Sequence, residues 1–246
     1  GTNLGLGTQL TDAQMKAVSG TENALIDRLN TWVEQQDSID YYTWQADSAD
    51  SPINGGYPVF DAKRTAPKAQ WGVAGSNGST PTNWTTGTLA DAVEYANELS
   101  SGTAYIQLLE HVNIIATLEF DEGKITVLDL NGKTIDGNSI PKGSGVNRSV
   151  LTVEGNLTLC DTSSATVANH GKITGGHGTG DGTGGGVYVD DTGSFIMTGG
   201  NITGNTAMNG GGVGNRGTFT MSGGSIAGNS CISGSGNVSI GGGVAN

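Results

Sequence analysis

Asp190 and Asp191 stand side by side in the stretch VDDTG, with Tyr188 two residues ahead of the first carboxylate. Adjacent carboxylates can open a calcium site or take part in acid–base chemistry. Calcium takes about six to eight oxygen ligands, and no Asp-x-Asp-x-Asp series surrounds this pair. Acid–base work needs a second carboxylate or a basic group converging on the first. After Lys172 the only charged residues are Asp181, Asp190, Asp191 and Arg216. So few groups favour a binding surface over a catalytic centre. We therefore expect no catalytic residue, no cofactor and no metal, and take Tyr188, Asp190, Asp191, Arg216 and Asn237 as candidate surface contacts.

Other chemistry-bearing residues read as local structure. GTGDGTGGG at 178–186 lacks the Lys and Ser/Thr of a phosphate loop, and no helical pattern follows it. His177 is expected as a turn residue within glycines, and His111 and His170 have no evident partner. Glu119, Asp121 and Glu122 read as charges at a bend, and Asp129 as a carboxylate bonding turn backbone near Asn131 and Gly132. Cys160 closes a strand-like run and Cys231 is expected in a later turn. Two cysteines make neither a metal motif nor a disulfide framework, and both are expected to be free.

The elements that would carry these residues are written as a repeat. Phe195, Met197, Ile202 and Asn205 recur 24 residues on, as Phe219, Met221, Ile226 and Asn229. A degenerate earlier copy has Leu157, Leu159 and Ile173. Periods of this length mark stacked repeats, and Phe-x-Met alternation marks strands. Stacking predicts columns: Val187 with Val213 and Val244, Phe195 with Phe219, Met197 with Met221, Ile202 with Ile226. Asn205 and Asn229 should form an amide ladder at a turn. The 43 glycines then become corners, needed where φ is positive or a Cβ has no room. Gly184 to Gly210 is 26 residues but Gly210 to Gly241 is 31, which makes SCISGSGNVSI an enlarged, projecting turn.

Residues 1–61 look different and read as a small α+β segment. TDAQ at 11–14 and SGTE at 19–22 have capping-box form, and Leu25, Leu29, Trp32 and Val33 share one helical stripe. YYTW at 41–44 and YPVF at 57–60 are strand candidates. Residues 62–87 read as a linker, with 70–74 as a lone strand. TLADAVEYANEL at 88–99 reads as a helix burying Leu89, Ala92, Val93, Ala96 and Leu99, and is expected to cap the stack. The net charge of −12 argues against nucleic acid and anionic lipid as partners, and no apolar run suits membrane insertion. The chain has no initiator Met and stops within a repeat, so it is expected to be a piece of a longer protein with flanking domains.

Several stretches carry resemblances to known families. The order TLADAV, AYIQLLE, KITVLDLNGKTIDG resembles the opening of pectin-lyase-like right-handed parallel β-helices of bacterial surface proteins. GGGV at 210–213 with ITGN at 202–205 and IAGN at 226–229 resembles the repeat of polymorphic outer-membrane proteins, with Ile where that family prefers Phe. LNTWV, YYTW and INGGYPVF resemble the tail of a GLUG-type module. GHG at 176–178 is formally the histidine motif of polygalacturonases, but their paired Asp comes earlier in the chain and their later Arg-x-Lys is absent here. Together the resemblances imply a parallel β-helix (solenoid) over residues 88–246. They imply a surface-exposed, adhesin-like role; with so few charged groups after Lys172, we expect a non-catalytic, extracellular or cell-surface module acting as stalk or adhesive surface, with glycans or surface proteins as partners. A polysaccharide-active enzyme and a carbohydrate-binding module are the alternatives.

Overall fold

Two short strands, β1 at Tyr42–Gln45 and β2 at Val59–Lys63, pair antiparallel and belong to the first of two units, Gly1–Ala66. The computed structural model describes residues 15, 25–26, 28–29, 42–45, 59–63, 67–141, 148–163, 166, 170–178, 184–232 and 241–246. Met15, Leu25, Ile26, Arg28 and Leu29 are helical; among these described residues Ile26, which is not on the expected stripe, is buried, while Leu25 and Leu29 are intermediate. The expected capping boxes, Trp32 and Val33 lie outside the described residues. β2 contains Val59 and Phe60 of the expected YPVF strand, while Tyr57 and Pro58 lie outside the described residues.

The second unit, Pro67–Asn246, begins with a correction. Residues 67–87 are not a linker. β3 at Ala69–Val73 pairs antiparallel with β4 at Thr85–Gly87 on one side and with β5 at Ala104–Leu108 on the other. Ala69 and Trp71 are buried, and Trp71 lies 6.5 Å from Tyr95 by ring centroid. At Gly72 a Cβ would meet the Asn83 carbonyl at 2.5 Å, so glycine lets the Ser/Thr-rich loop lie against the strand. That loop composition is what disguised the hairpin as a linker.

Helix α1, Leu89–Glu98, starts at a reciprocal cap: the Asp91 amide donates to Thr88 Oγ1 at 3.1 Å, and the Thr88 amide donates to Asp91 Oδ2 at 3.0 Å. These bonds from Thr88 hold the Asp91 carboxyl below its usual range. Leu89, Ala92, Val93 and Ala96 are buried as expected and share one core with Ile106, Phe120 and Leu118.

The rest is mainly β, in parallel sheets. One sheet orders β7 (Leu118–Phe120), β10 (Leu151–Val153), β14 (Val187–Val189), β18 (Val213–Asn215) and β22 (Val244–Ala245). A second continues from β5 through β8 (Ile125–Asp129), β11 (Asn156–Cys160) and β15 (Ser194–Met197) to β19 (Thr218–Met221). A third orders β6 (Val112–Asn113), β9 (Thr134–Asp136), β12 (Lys172–Thr174), β16 (Asn201–Ile202) and β20 (Ser225–Ile226). A fourth joins β13 (His177–Gly178), β17 (Thr206–Ala207) and β21 (Ser230–Cys231). Successive strands β14, β15, β16 and β17 thus enter four different sheets, and β18 returns beside β14.

The predicted columns are in register. Val187 pairs with Val213 and Val213 with Val244. Phe195 pairs with Phe219, Met197 with Met221, and Ile202 with Ile226. The older copy aligns too, Leu157 with Phe195, Leu159 with Met197, Ile173 with Ile202. The Phe195 and Phe219 rings stack at 5.4 Å with 13° between their planes. Gly186 and Gly212 occupy equivalent corners. A Cβ at Gly186 would meet Ile202 Cγ2 at 2.6 Å and Asn205 Nδ2 at 2.9 Å, and one at Gly212 would meet Ile226 Cγ2 at 2.7 Å and Asn229 Nδ2 at 2.8 Å. The triple-glycine phrase returns because the Ile and Asn of each repeat fill the space a side chain would need.

Candidate functional site

The candidate surface lies along the sheet that contains β14. Glu119, Thr152, Tyr188 and Gly214 are lateral neighbours in register on β7, β10, β14 and β18. β7 and β14 are each followed by a turn, β10 and β18 by a two-residue bend. The Gly193 amide donates to the Asp190 carbonyl at 2.8 Å, which confirms the turn expected at VDDTG, and the Asp190 amide donates to the Val153 carbonyl. An equivalent turn follows Phe120, where the Lys124 amide donates to the Asp121 carbonyl at 3.2 Å; after Val153 the chain makes only a two-residue bend, whose Glu154 amide donates to the Phe120 carbonyl at 2.9 Å, so acidic residues lie next to one another at the ends of adjacent strands.

Tyr188 is half-buried, and its hydroxyl donates to Asp190 Oδ1 at 2.9 Å. Burial first, and then the Asp190 carboxylate, push the phenol up to about 12, while the Arg216 charge acts the other way. Arg216 therefore belongs to the same neighbourhood; its side chain is exposed and its amide donates to the Val189 carbonyl at 2.9 Å. Asp191 is exposed at the turn. Asn237 lies outside the described residues, as does most of the enlarged turn.

Glu154 is the surface residue that the sequence reading missed. Partial burial pushes its carboxyl upward, and Asp190, Glu119, Asp121 and Glu122 add to the push. The charges read as belonging to a bend at 119–122 and to a turn at 190–191 thus converge on one carboxylate. Register could have shown this, since Val153 aligns with Phe120 and Val189, so the residues after each must be neighbours. Among the described residues no group of three His, Cys, Asp or Glu is placed to hold a metal. The face offers a tyrosine ring, a carboxylate that orients the phenol, and an arginine nearby. Such a set can hydrogen-bond hydroxyl groups of a sugar and stack on its apolar face.

A second polar cluster is buried, and it is structural. Asp129 is fully buried on β8. Its Oδ1 accepts from the amides of Asn131 at 3.0 Å and Thr162 at 2.9 Å. Its Oδ2 accepts from Tyr105 Oη at 3.3 Å, Gln107 Nε2 at 2.7 Å and Thr162 Oγ1 at 2.6 Å. A carboxylate has about four lone-pair sites, so these donors leave none for a ligand. The expected bond to turn backbone is present at Asn131; the Gly132 amide instead donates to Asp161 Oδ2 at 3.3 Å. Cys160 is in register with Asp129. Burial, then the Asp129 charge, push the Cys160 thiol up to about 12, so it stays protonated and unreactive near neutral pH. Tyr105 is pushed upward by burial and by Asp129 as well.

The remaining candidates fall into place as local structure. Asn205 is fully buried. Its Nδ2 donates to Ile173 O at 3.0 Å, to Thr203 O at 3.1 Å and to Asn229 Oδ1 at 3.0 Å, and its Oδ1 accepts from the Gly176 amide at 2.9 Å. Asn229 repeats the pattern, with Nδ2 donating to Ile202 O at 2.8 Å. His177 is not a turn residue but part of β13, with Nδ1 at 2.7 Å from Thr206 Oγ1. His111 Nδ1 accepts the Thr134 amide at 3.0 Å. Neither Cys160 nor Cys231 is in a disulfide, and they sit in different sheets; Cys231 ends β21 and is not in a turn. No helix among the described residues is long and apolar enough to cross a membrane.

No protein-family model, no curated protein and no solved structure matches this chain.

Proposed function

We propose that residues 88–246 wind as a right-handed parallel β-helix capped by α1, and that the chain is a non-catalytic module of a bacterial cell-surface or secreted protein. It acts as a stalk or adhesive surface for glycans or surface proteins, with residues 1–61 as the tail of a preceding module. The observation that carries this reading is the unbroken register of like on like: Leu157, Phe195 and Phe219 follow one another strand by strand, as do Ile173, Ile202 and Ile226. A chain built this way is extended by adding strands whose inward residues match their neighbours, while the outward residues vary from strand to strand and are free to form a binding surface. Repeats similar to those of polymorphic outer-membrane proteins support a surface role. The Tyr188–Asp190 pair is the most suitable glycan contact on that surface.

The test is a glycan array run beside an assay for release of uronate from pectic polymers. The proposal expects retention of specific glycans without release, and weaker retention in Tyr188→Ala. Release of uronate products would replace it with a polysaccharide-active enzyme, and failure to retain any glycan would leave no support for the Tyr188 surface.

A further inference from the structure

A groove of about 650 Å³ lies where the start of α1 meets the β6–β7 segment, remote in sequence from the Tyr188 turn. Its walls are apolar, from Leu89, Val112, Ile114 and Leu118, and Ile115 stands at the rim 75% exposed. Volumes of roughly 300–1,000 Å³ are those of small-molecule sites. An exposed isoleucine over an apolar trough invites an apolar occupant.

The charge of the lining decides what kind. In a chain of net charge −12, the ionisable residues lining the groove are Lys68 and His111, and no acidic residue joins them among the described residues. Lys68 is half-buried, its carbonyl accepting the Leu109 amide at 3.0 Å, which fixes its backbone at the groove. His111 Nδ1 accepts the Thr134 amide, so in the neutral ring the proton sits on Nε2, which becomes a donor. The first backbone bond of α1 is from the Ala92 amide to Thr88 O at 3.2 Å. The amides of Leu89 and Ala90, both lining the groove, precede it and add the positive end of the helix. Asp91, one position further on, has its carboxylate engaged by the Thr88 amide.

We propose that this groove binds a small amphipathic carboxylate, with its aliphatic body on Leu89, Val112, Ile114 and Leu118 and its carboxylate at Lys68 and His111. The inference stands apart from the stalk or adhesive role.

Titration calorimetry on the whole 246-residue chain tests it, with octanoate, 1-octanol and octylammonium as probes of equal chain length. Octanoate should bind saturably, one per chain and about tenfold tighter than octanol, with octylammonium weakest; tenfold is about 1.4 kcal/mol. Lys68→Gln should bring octanoate and octanol together, while Lys68→Arg keeps them apart. Ala90→Trp, at an exposed helix position facing the groove, should block both without changing the circular dichroism spectrum. The proposal is overturned by any of three results: no saturable binding of octanoate, equal affinity for octanol and octanoate in the unaltered chain, or a preference that survives Lys68→Gln.

Discussion

Met197 and Met221 are the same residue in the same register on neighbouring strands, yet Met197 is 0% exposed and Met221 is 42% exposed. The contrast recurs across the layer. Val213 is fully buried and Val244 38% exposed; Phe195 and Ile202 are fully buried, while Phe219 and Ile226 are only partly so. At the other side of the second unit, α1 and the β3–β4 hairpin cover the first strands, and Ile106, Leu108 and Phe120 are buried. Met197 in SFIMTGG and Met221 in TFTMSGG share the same alternating pattern, so the pattern alone does not produce the difference. A strand's side chains are sealed by the layers on both sides of it, and the covering layer contributes much of their burial energy.

The largest test of this contrast is Phe195→Ala against Phe219→Ala. The first should cost about 4 kcal/mol and the second about 2 kcal/mol, read from urea unfolding midpoints at unchanged m. Equal costs would break the contrast. Next is the ladder. Asn205→Ala removes the partners of the Gly176 amide and of the Ile173 and Thr203 carbonyls and should cost about 3 kcal/mol, while Asn229→Ala, half-exposed, should cost about 1.5 kcal/mol.

Removing the cap of the covering helix comes third. Thr88→Ala should lower stability by about 1 kcal/mol at neutral pH. Because Asp91 is held below its usual range, its share is present above the unfolded value and is lost as pH falls through the folded one. The penalty of Thr88→Ala should therefore shrink in acid, measured by thermal melts across pH. The smallest effect is at Glu154. Its folded carboxyl is raised, so its ionisation opposes folding once pH exceeds the unfolded value. Glu154→Gln should gain about 0.3 kcal/mol at pH 7 in low salt, and the gain should fade in acid and in high salt.

How much was legible in the sequence follows from the same physics. Like residues stacked on like require equal spacing, so Phe195/Phe219 and Asn205/Asn229 announce themselves as a period. The Asp129 cluster has no such signature: its donors Tyr105, Gln107 and Thr162 lie 22 to 33 residues away and belong to no repeat. The β3–β4 hairpin was hidden because tertiary pairing with β5, not strand propensity, orders a Gly- and Thr-rich stretch. Flanking glycines give His177 the look of a turn residue, whereas pairing with Thr206 draws it into a strand. Glu154 needed the register before its acidic neighbours could be seen.

Register is the claim on which the columns, the ladder and the shared acidic face all depend, and cross-linking measures it directly. In a Cys160→Ser, Cys231→Ser background, Ile196→Cys with Thr220→Cys places the thiols on directly opposed, solvent-facing positions of β15 and β19. Adjacent strands lie about 4.8 Å apart, within disulfide reach, while a shift of two residues along the strand opens the pair to about 8 Å. Oxidation should close Ile196→Cys/Thr220→Cys rapidly and leave Ile196→Cys/Ser222→Cys largely open; faster closure of the shifted pair, or none in the matched one, would contradict the stacking of like residues on like.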